Sequence, residues 1–260
     1  VTPEVLGKLH NAGLVAISLS VDGATPRTHD AFRRIDGVFD RTMAIWDAAR
    51  EMHLKVQVNT TVTRLNLWEL PKIAHNVLER TALTWSLFFM VPVGRALSLE
   101  QISPRECEDV MHFLYDVGTV IPAKTTEGHH YKRIVMQRTV LERLGITPEK
   151  AGLVGDTYRR LRDELGWEIR PGMRRTPMDV NAGRGFVFVS HTGSVHPSGF
   201  LPLSAGNVKW RTLQEIYRES PLFRSLRDTQ ALTGRCGHCE FAEICGGSRS
   251  RAYATAEDPL

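Results

Sequence analysis

The 260-residue sequence has no apolar run long enough to cross a membrane and no segment with the composition of a signal peptide. It also has little excess charge: the formal net charge is +4, and no basic stripe with interleaved aromatic residues is present. This argues against a nucleic-acid-binding protein. Apolar residues make up 42% of the chain and charged residues 24%, as in ordinary globular proteins. We therefore expect a cytoplasmic protein that acts on neither membranes nor nucleic acids.

Cysteine is scarce too, with four residues in the chain, and three of the four lie within ten residues near the C-terminus. Cys236, Cys239 and Cys245 have the spacing C-x2-C-x5-C, which lets one short loop surround a soft metal centre with thiolates. Two glycines follow directly and allow backbone N–H groups to approach such a centre. Two other interpretations stay open: a disulfide with a spare thiol, and a structural zinc site with His238 or a distant residue as fourth ligand. Cys107 stands apart in a helical pattern and is expected to be buried.

Three segments rich in apolar or β-branched residues predict strands, at residues 14–21, 54–62 and 85–91. Helical patterns separate them, at 38–53 and 67–78. Strands that alternate with helices of this length indicate βαβ units and a parallel sheet. Polar side chains cluster where the strands end, and in (β/α) barrels that edge carries the active site. Three strands make only part of a barrel or an open sheet.

Beyond the third strand, the pattern is mostly helical from 104 to 165. A polar stretch at 122–131 interrupts it, and we interpret this stretch either as a substrate loop or as a solvated connection. Between 185 and 197 the pattern of apolar and polar residues changes to a period of two, which predicts a β-hairpin. Short helices are expected from about 212 and 221. A unit this small would need a metal centre to be stable.

We thus predict an α/β fold in which a partial (β/α) barrel precedes a small α+β domain. The expected domains are the barrel at 1–103, a helical connection at 104–181, and the cysteine-bearing domain at 182–260.

These motifs together resemble the later part of a radical S-adenosylmethionine (SAM) enzyme with a C-terminal SPASM/twitch-type domain for an auxiliary cluster. Residues 20–23 (SVDG) match the Ser-x-Asp-Gly turn after the family's fourth barrel strand, and residues 29–33 (HDAFR) match its His-Asp-x-x-Arg motif. The stretches 193–202, 205–208 and 245–254 follow the pattern of the subgroup that makes haem d1 and haem by an alternative route. The resemblance covers nearly the whole chain.

The resemblance implies a SAM site at the strand ends. The turn serine and the arginine of the second motif would approach the amino and carboxylate ends of SAM, since an arginine fork pairs a carboxylate at two points. An asparagine on the next strand would face the ribose, and the exit of the third strand would line the adenine. The expected cofactor-binding residues are Ser18, Ser20, Asp22, Arg33, Asn59 and Val91, while no catalytic residue is identified.

The resemblance also implies that Cys236, Cys239 and Cys245 ligate an auxiliary 4Fe–4S cluster, with the fourth ligand beyond the last residue or left open to substrate. The C-x3-C-x2-C motif that binds the SAM-cleaving 4Fe–4S cluster in this family is absent. It normally precedes the point where this sequence starts, so we expect a truncated chain that is inactive alone. Full SPASM domains place further cysteines near 198 and 249, where this chain has Ser198 and Arg249, so at most one auxiliary cluster is expected.

In enzymes of this family an electron splits SAM, and the 5′-deoxyadenosyl radical so formed takes a hydrogen atom from the substrate. The resemblance thus implies an oxidoreductase acting on a tetrapyrrole-like or other small molecule, with a flavodoxin or ferredoxin as electron donor. Two alternatives stay open: a SPASM maturase acting on a ribosomal peptide, and a zinc-stabilised binding module.

Overall fold

The computed structural model describes residues 1–169, 172 and 174–260. The chain divides into two compact units. The first comprises Val1–Met90, Leu99–Thr126 and Met136–Thr176, and the second comprises Val91–Ser98, Glu127–Val135 and Pro177–Leu260. Most of the predicted helical connection thus groups with the sheet-bearing unit, and its residues Arg170, Pro171 and Met173 lie outside the described residues. No helix in the described ranges is long and apolar enough to span a membrane.

The first unit contains a parallel sheet of four strands in chain order. The strands are β1 (Ala16–Ser20), β2 (Lys55–Val62), β3 (Thr84–Phe89) and β4 (Ala123–Thr126). The predicted α/β class and the three predicted strands are confirmed, with slightly shorter bounds. The fourth strand was not predicted, because its four residues carry no apolar run and follow a proline; it occupies part of the stretch that we interpreted as a loop.

The helices up to residue 165 that the structure describes are α1 (Pro3–Asn11), α2 (Pro26–Arg33), α3 (Val38–Glu51), α4 (Leu70–Glu79), α5 (Pro104–Val117), α6 (Tyr131–Arg143) and α7 (Asp156–Leu165), with a 3-10 turn at Leu67–Glu69. The first residues of α6 and a 3-10 turn at Gly94–Ser98 group with the second unit. Helices α1, α2 and α5 begin alike: a threonine or serine N-cap accepts a backbone N–H, and proline occupies the first helical position. These local signals accompany the helical patterns expected at α1 and α5, whereas α2 lies in a segment that the sequence reading took as a loop before residue 38, so that reading was wrong there.

One face of the sheet is apolar and forms the core of the first unit. Val58, Trp85 and Leu87 are fully buried. The indole Nε1 of Trp85 donates to Thr60 Oγ1 at 2.9 Å, so the one polar ring atom of this core side chain is satisfied.

The second unit has a three-stranded antiparallel sheet and short helices. The strands are β5 (Phe188–Val189), β6 (Ser194–His196) and β7 (Gly206–Asn207), and the helices are α8 (Leu213–Glu219), α9 (Pro221–Arg227), α10 (Gly234–Gly237), α11 (Ala242–Cys245) and α12 (Arg249–Ala256), with a 3-10 turn at Thr229–Ala231. The predicted hairpin and the two helices that follow it are confirmed. The buried residues form small clusters, one around Phe223 and another around Leu226.

A buried carboxylate joins three helices of the first unit. Asp116 on α5 accepts from Arg138 Nη2 on α6 at 2.5 Å and from the Tyr158 hydroxyl on α7 at 2.6 Å. Arg162 Nε lies 3.2 Å from Asp116 Oδ2, the same oxygen that accepts from Tyr158. Burial and then the Asp116 charge raise the pKa of Tyr158, which keeps that hydroxyl a donor.

We expect Asp116→Asn to lower the free energy of unfolding by about 3 kcal/mol, because it leaves the buried Arg138 guanidinium without its counter-charge. The matched control is Asp156→Asn, whose side chain is 96% exposed and pairs with Arg159 at the surface. Urea unfolding followed by tryptophan fluorescence measures both. Equal losses in the two variants would contradict this account of Asp116.

Candidate functional site

The second face of the parallel sheet is polar. The strand register pairs Ser20 with Asn59, Asn59 with Ser86, and Ser86 with Lys124. Residues paired in this way point to the same face, so one polar row crosses all four strands. The neighbouring rows extend it, since Gln57 Nε2 donates to Asn59 Oδ1 at 2.7 Å. Parallel strands are usually apolar on both faces, so a polar row across this sheet makes its second face a candidate ligand surface.

The turn after β1 is organised around the carboxylate of Asp22, which is fully buried. Its Oδ1 accepts the Thr61 backbone N–H at 2.6 Å, and its Oδ2 forms an ion pair with Arg33 at the end of α2. The Asp22 carbonyl accepts from Asn66 Nδ2 at 3.0 Å. Burial raises the pKa of Asp22, and the Arg33 charge opposes that shift. The ion pair thus keeps a buried carboxylate compatible with folding.

Two further contacts close the turn. The Asp22 backbone N–H donates to His29 Nδ1 at 3.0 Å, and the Ala24 N–H donates to Glu69 Oε2 at 2.6 Å. A Cβ at Gly23 would lie 2.5 Å from the backbone nitrogen of His29, so only glycine fits there. Asp22 and Gly23 of the Ser-x-Asp-Gly sequence therefore each have a structural role that is independent of any ligand.

The structure brings most of the predicted SAM residues to one edge of the first unit. Ser20 and Asn59 are neighbours on the polar face, and Asp22 and Arg33 contact each other directly after β1. Arg33 was expected to pair with the SAM carboxylate, and in the structure it has the Asp22 carboxylate as a partner. A role toward SAM stays a prediction for each of these residues.

Two members of the predicted set are placed differently. Ser18 lies two residues earlier on β1, where it is exposed and paired in register with Gln57. Val91 is buried and belongs to the second unit, and its carbonyl accepts the Val93 N–H at 2.8 Å. Sequence reasoning missed Ser86 and Lys124 on the polar face. The sequence signal that could have identified Lys124 is a charged residue directly before two β-branched residues, Thr125 and Thr126.

The three clustered cysteines lie on two single-turn helices and the segment between them. Cys236 is in α10, Cys239 follows it, and Cys245 ends α11. Cys236 and Cys239 are exposed, Cys245 is half-buried, and Cys107 is buried as predicted. No three His, Cys, Asp or Glu side chains are gathered at metal-binding distance in the part of the chain that the structure describes.

The environment of the cysteine loop nevertheless suits thiolates. Burial raises the pKa of Cys245, and the Gly247 backbone N–H, which points at its sulfur, opposes that rise. Both glycines after Cys245 have positive φ, and Asn181 Nδ2 holds the Gly247 carbonyl at 2.7 Å. Three thiols in one short loop are the donor set that iron–sulfur clusters and zinc share. The residues present therefore fit such a group by chemistry.

A buried cation lies beside this loop. Arg249 is 2% exposed, its Nη atoms reach the Leu226 and Pro259 carbonyls at 3.3 Å, and its Nε has no hydrogen-bond partner in the described ranges. Burial lowers the pKa of its guanidinium, and the charges of Cys236 and Cys245 oppose that shift. A negatively charged cluster on the thiolates would compensate this cation.

The start of α12 is fixed by a second buried group that the sequence did not single out. Glu127 accepts from Ser248 Oγ at 2.6 Å and from Ser250 Oγ at 3.1 Å. Glu127 has positive φ and is 7% exposed. It follows β4 directly in the chain, within the stretch 122–131, and so gives that stretch a structural role at the cysteine loop.

Known proteins resemble the chain over its whole length. An AdoMet-dependent heme synthase of Methanosarcina barkeri is 36% identical over 261 residues, which cover 100% of this chain and 69% of that protein. The chain belongs to the radical SAM family that includes the AdoMet-dependent heme synthases. The heme synthase of Nitratidesulfovibrio vulgaris is 38% identical over 269 residues and is covered to 68%. No protein-family model matches the chain.

Solved structures confirm the fold of this radical SAM chain. Streptococcus suis SuiB, bound to S-adenosylmethionine, superposes with a TM-score of 0.55 at 14% identity. Its complex with the precursor peptide SuiA gives a TM-score of 0.56 at 15% identity. Each match covers 93% of this chain and 51% of that chain, so this chain spans about half the length of SuiB.

The turn at Asp22 predicts a pH dependence of stability. His29 accepts an N–H at Nδ1, so its Nε2 carries the proton, and Nε2 has no partner among the described residues. Burial, and then the Arg33 charge, lower the pKa of His29 to about 4. Between pH 6.5 and 4 the unfolded state binds the extra proton, so stability falls as the pH falls.

We expect the His29→Gln variant to lose this contribution, which amounts to roughly 3 kcal/mol between pH 7 and pH 4. The measurement is urea unfolding of wild type and variant at a series of pH values, with the exposed His10→Gln as matched control. His129, whose pKa is also lowered to about 4, contributes equally to all three proteins. Identical pH profiles for wild type and His29→Gln would contradict the assignment.

Proposed function

We propose that the chain acts in a radical SAM oxidoreductase that takes a hydrogen atom from a tetrapyrrole-like substrate in haem or related cofactor biosynthesis. The observation that carries the proposal is the 36% identity to an AdoMet-dependent heme synthase across 100% of this chain. The polar sheet edge and the cysteine loop are the two places where the chain offers suitable ligands for SAM and for an iron–sulfur cluster.

The polar edge would position SAM. A 4Fe–4S cluster supplies the electron that cleaves SAM in this family, and the cofactor performs the difficult chemistry. The residues of this chain orient and enclose the reacting groups. Ser20 and Asn59 offer a hydroxyl and an amide side by side on two strands. Asp22 holds Arg33 in place, so that the guanidinium, whose side chain is 32% exposed, is already oriented for an anionic group.

The cysteine loop would hold an auxiliary 4Fe–4S cluster through Cys236, Cys239 and Cys245. Loading would draw the three thiolates together, and the Gly247 N–H and the Arg249 charge would stabilise them. Metal binding would then also stabilise the second unit, whose apolar clusters are small. A zinc-stabilised binding module remains the alternative from another class of protein.

A peptide substrate is the second candidate function. SuiB shares the fold and was solved with its precursor peptide, although the identity is only 15%. The greater identity to heme synthases favours a tetrapyrrole. We further propose a cytoplasmic setting, in keeping with four free cysteines, a small-molecule substrate, and an electron donor such as a flavodoxin or ferredoxin.

The substrate class is tested by binding to the anaerobically reconstituted chain. We expect iron coproporphyrin III to bind with a shift of its Soret band, and a SuiA-type precursor peptide to give no heat in calorimetry. Peptide binding without tetrapyrrole binding would favour the maturase instead. With SAM and dithionite this chain should form no 5′-deoxyadenosine, because it has no C-x3-C-x2-C motif. Measurable 5′-deoxyadenosine would contradict the need for that motif.

The cluster is tested by metal analysis after anaerobic reconstitution. We expect iron with matching sulfide and a brown colour in the wild type, and loss of both when Cys236, Cys239 and Cys245 are all changed to alanine. Cys107→Ala is the matched control, because Cys107 is buried in α5 of the first unit, and this variant should keep its iron. Stoichiometric zinc without sulfide would indicate the zinc module. Iron retained in the triple variant would rule out the loop as the cluster site.

A further inference from the structure

Two cations come together on the polar face of the sheet. Lys124 ends the row that starts at Ser20, and its side chain is half-buried. Arg175 reaches the same face from the chain after α7, where its Nη1 donates to Thr84 Oγ1 at 3.3 Å. Thr84 lies two residues before Ser86 on β3, so its side chain points to the face that carries Lys124. Neither cation was expected from the sequence.

The neighbouring residue holds Arg175 in place. Arg174 Nε donates to the Tyr115 carbonyl at 2.8 Å, and Nη2 pairs with Glu142 Oε1 at 2.7 Å. Its guanidinium carbon also lies 3.8 Å from the centroid of the Tyr115 ring. These contacts tie the residue before Arg175 to α5 and α6, which brings Arg175 to the sheet.

The electrostatics of Lys124 are unfavourable without a ligand. Burial, and then the charge of Arg175, lower its pKa. No carboxylate among the described residues lies within ion-pair distance of its ammonium group. Two like charges partly removed from water repel each other, and an anion beside the Lys124 ammonium would offset this repulsion.

We propose that Lys124 and Arg175 form a subsite for a carboxylate group of a small-molecule ligand, on the polar face that Ser86 and Asn59 share. The ammonium offers a point charge and the guanidinium a planar fork, which together hold a carboxylate in one orientation. The identity of the ligand rests on the proposed function. The proposed function offers two ligands that carry a carboxylate: SAM, through its methionine carboxylate, and a tetrapyrrole, through a propionate.

The subsite itself is tested without either ligand. Reductive ¹³C-methylation of the lysines gives NMR signals from which the pKa of Lys124 is measured, with Lys124→Gln used for assignment. We expect succinate to raise the pKa of Lys124 toward its ordinary value and Arg175→Gln to weaken this effect. Succinate should leave the pKa of the exposed Lys72 on α4 unchanged in both the wild type and Arg175→Gln. A pKa of Lys124 that succinate leaves unchanged would overturn the subsite, whatever the function of the protein.

The source of the carboxylate is then found by binding measurements on Lys124→Gln, with Lys72→Gln as the charge-matched control. Losing one hydrogen bond to a charged group weakens binding by roughly ten- to a hundredfold. If SAM is the source, Lys124→Gln should bind SAM more weakly than the wild type by this factor, while decarboxylated SAM binds both proteins equally. If the substrate is the source, Lys124→Gln should bind iron coproporphyrin III more weakly by this factor and bind SAM as tightly as the wild type does. Lys124→Arg should restore most of the loss in either case.

The outcomes separate this inference from the proposed function. Wild-type protein that binds neither SAM nor a tetrapyrrole but responds to succinate at Lys124 would refute the proposed function and keep the carboxylate subsite. Binding of both ligands that is unchanged in Lys124→Gln and in Arg175→Gln, with no succinate response, would keep the function and refute the subsite. Circular dichroism of each variant checks that the fold is intact.

Discussion

The first unit depends on the alternation of side chains along parallel strands. Because successive residues point to opposite faces, one register gives β2 and β3 both an apolar core face and a polar face. Val58, Trp85 and Leu87 fill the apolar side, while Asn59 and Ser86 lie between them in sequence and face the other way. A slip of one residue would bury the polar row and expose the core. The packing energy of the apolar face therefore fixes the position of every polar side chain opposite it.

The Asp22 turn is the second constraint, and it links sequence, packing and site. A fully buried carboxylate is costly unless charged or polar partners surround it, and here β2 supplies an N–H and α2 supplies a guanidinium. Sequence reasoning assigned both Asp22 and Arg33 to SAM, since each matched a family motif separately. The structure pairs them with each other, so at least part of the motif is explained by folding. A ligand at this turn would then bind an arginine that Asp22 already holds in place.

The sequence predicted whatever was encoded locally. Apolar strands, N-caps followed by proline and the cysteine spacing are all signals within a few residues, and the structure confirms the strands and helices that they indicated. Strand β4 was missed because its four residues, Ala123–Thr126, carry no apolar run and follow a proline. Contacts across long separations, such as that of Arg175 with Thr84 or of Glu127 with Ser248, leave no local signal. They exist only once the register and the packing of distant segments are known.

Two cations break the rule that charges removed from water have a partner of opposite sign. Arg249 in the second unit is almost fully buried, with carbonyls at its Nη atoms and no partner for Nε among the described residues. Lys124 in the first unit faces another cation. Natural sequences keep such local conflicts mainly at functional sites. Under the proposed function, a cluster on the thiolates would supply the negative charge beside Arg249. A ligand carboxylate would supply the negative charge beside Lys124.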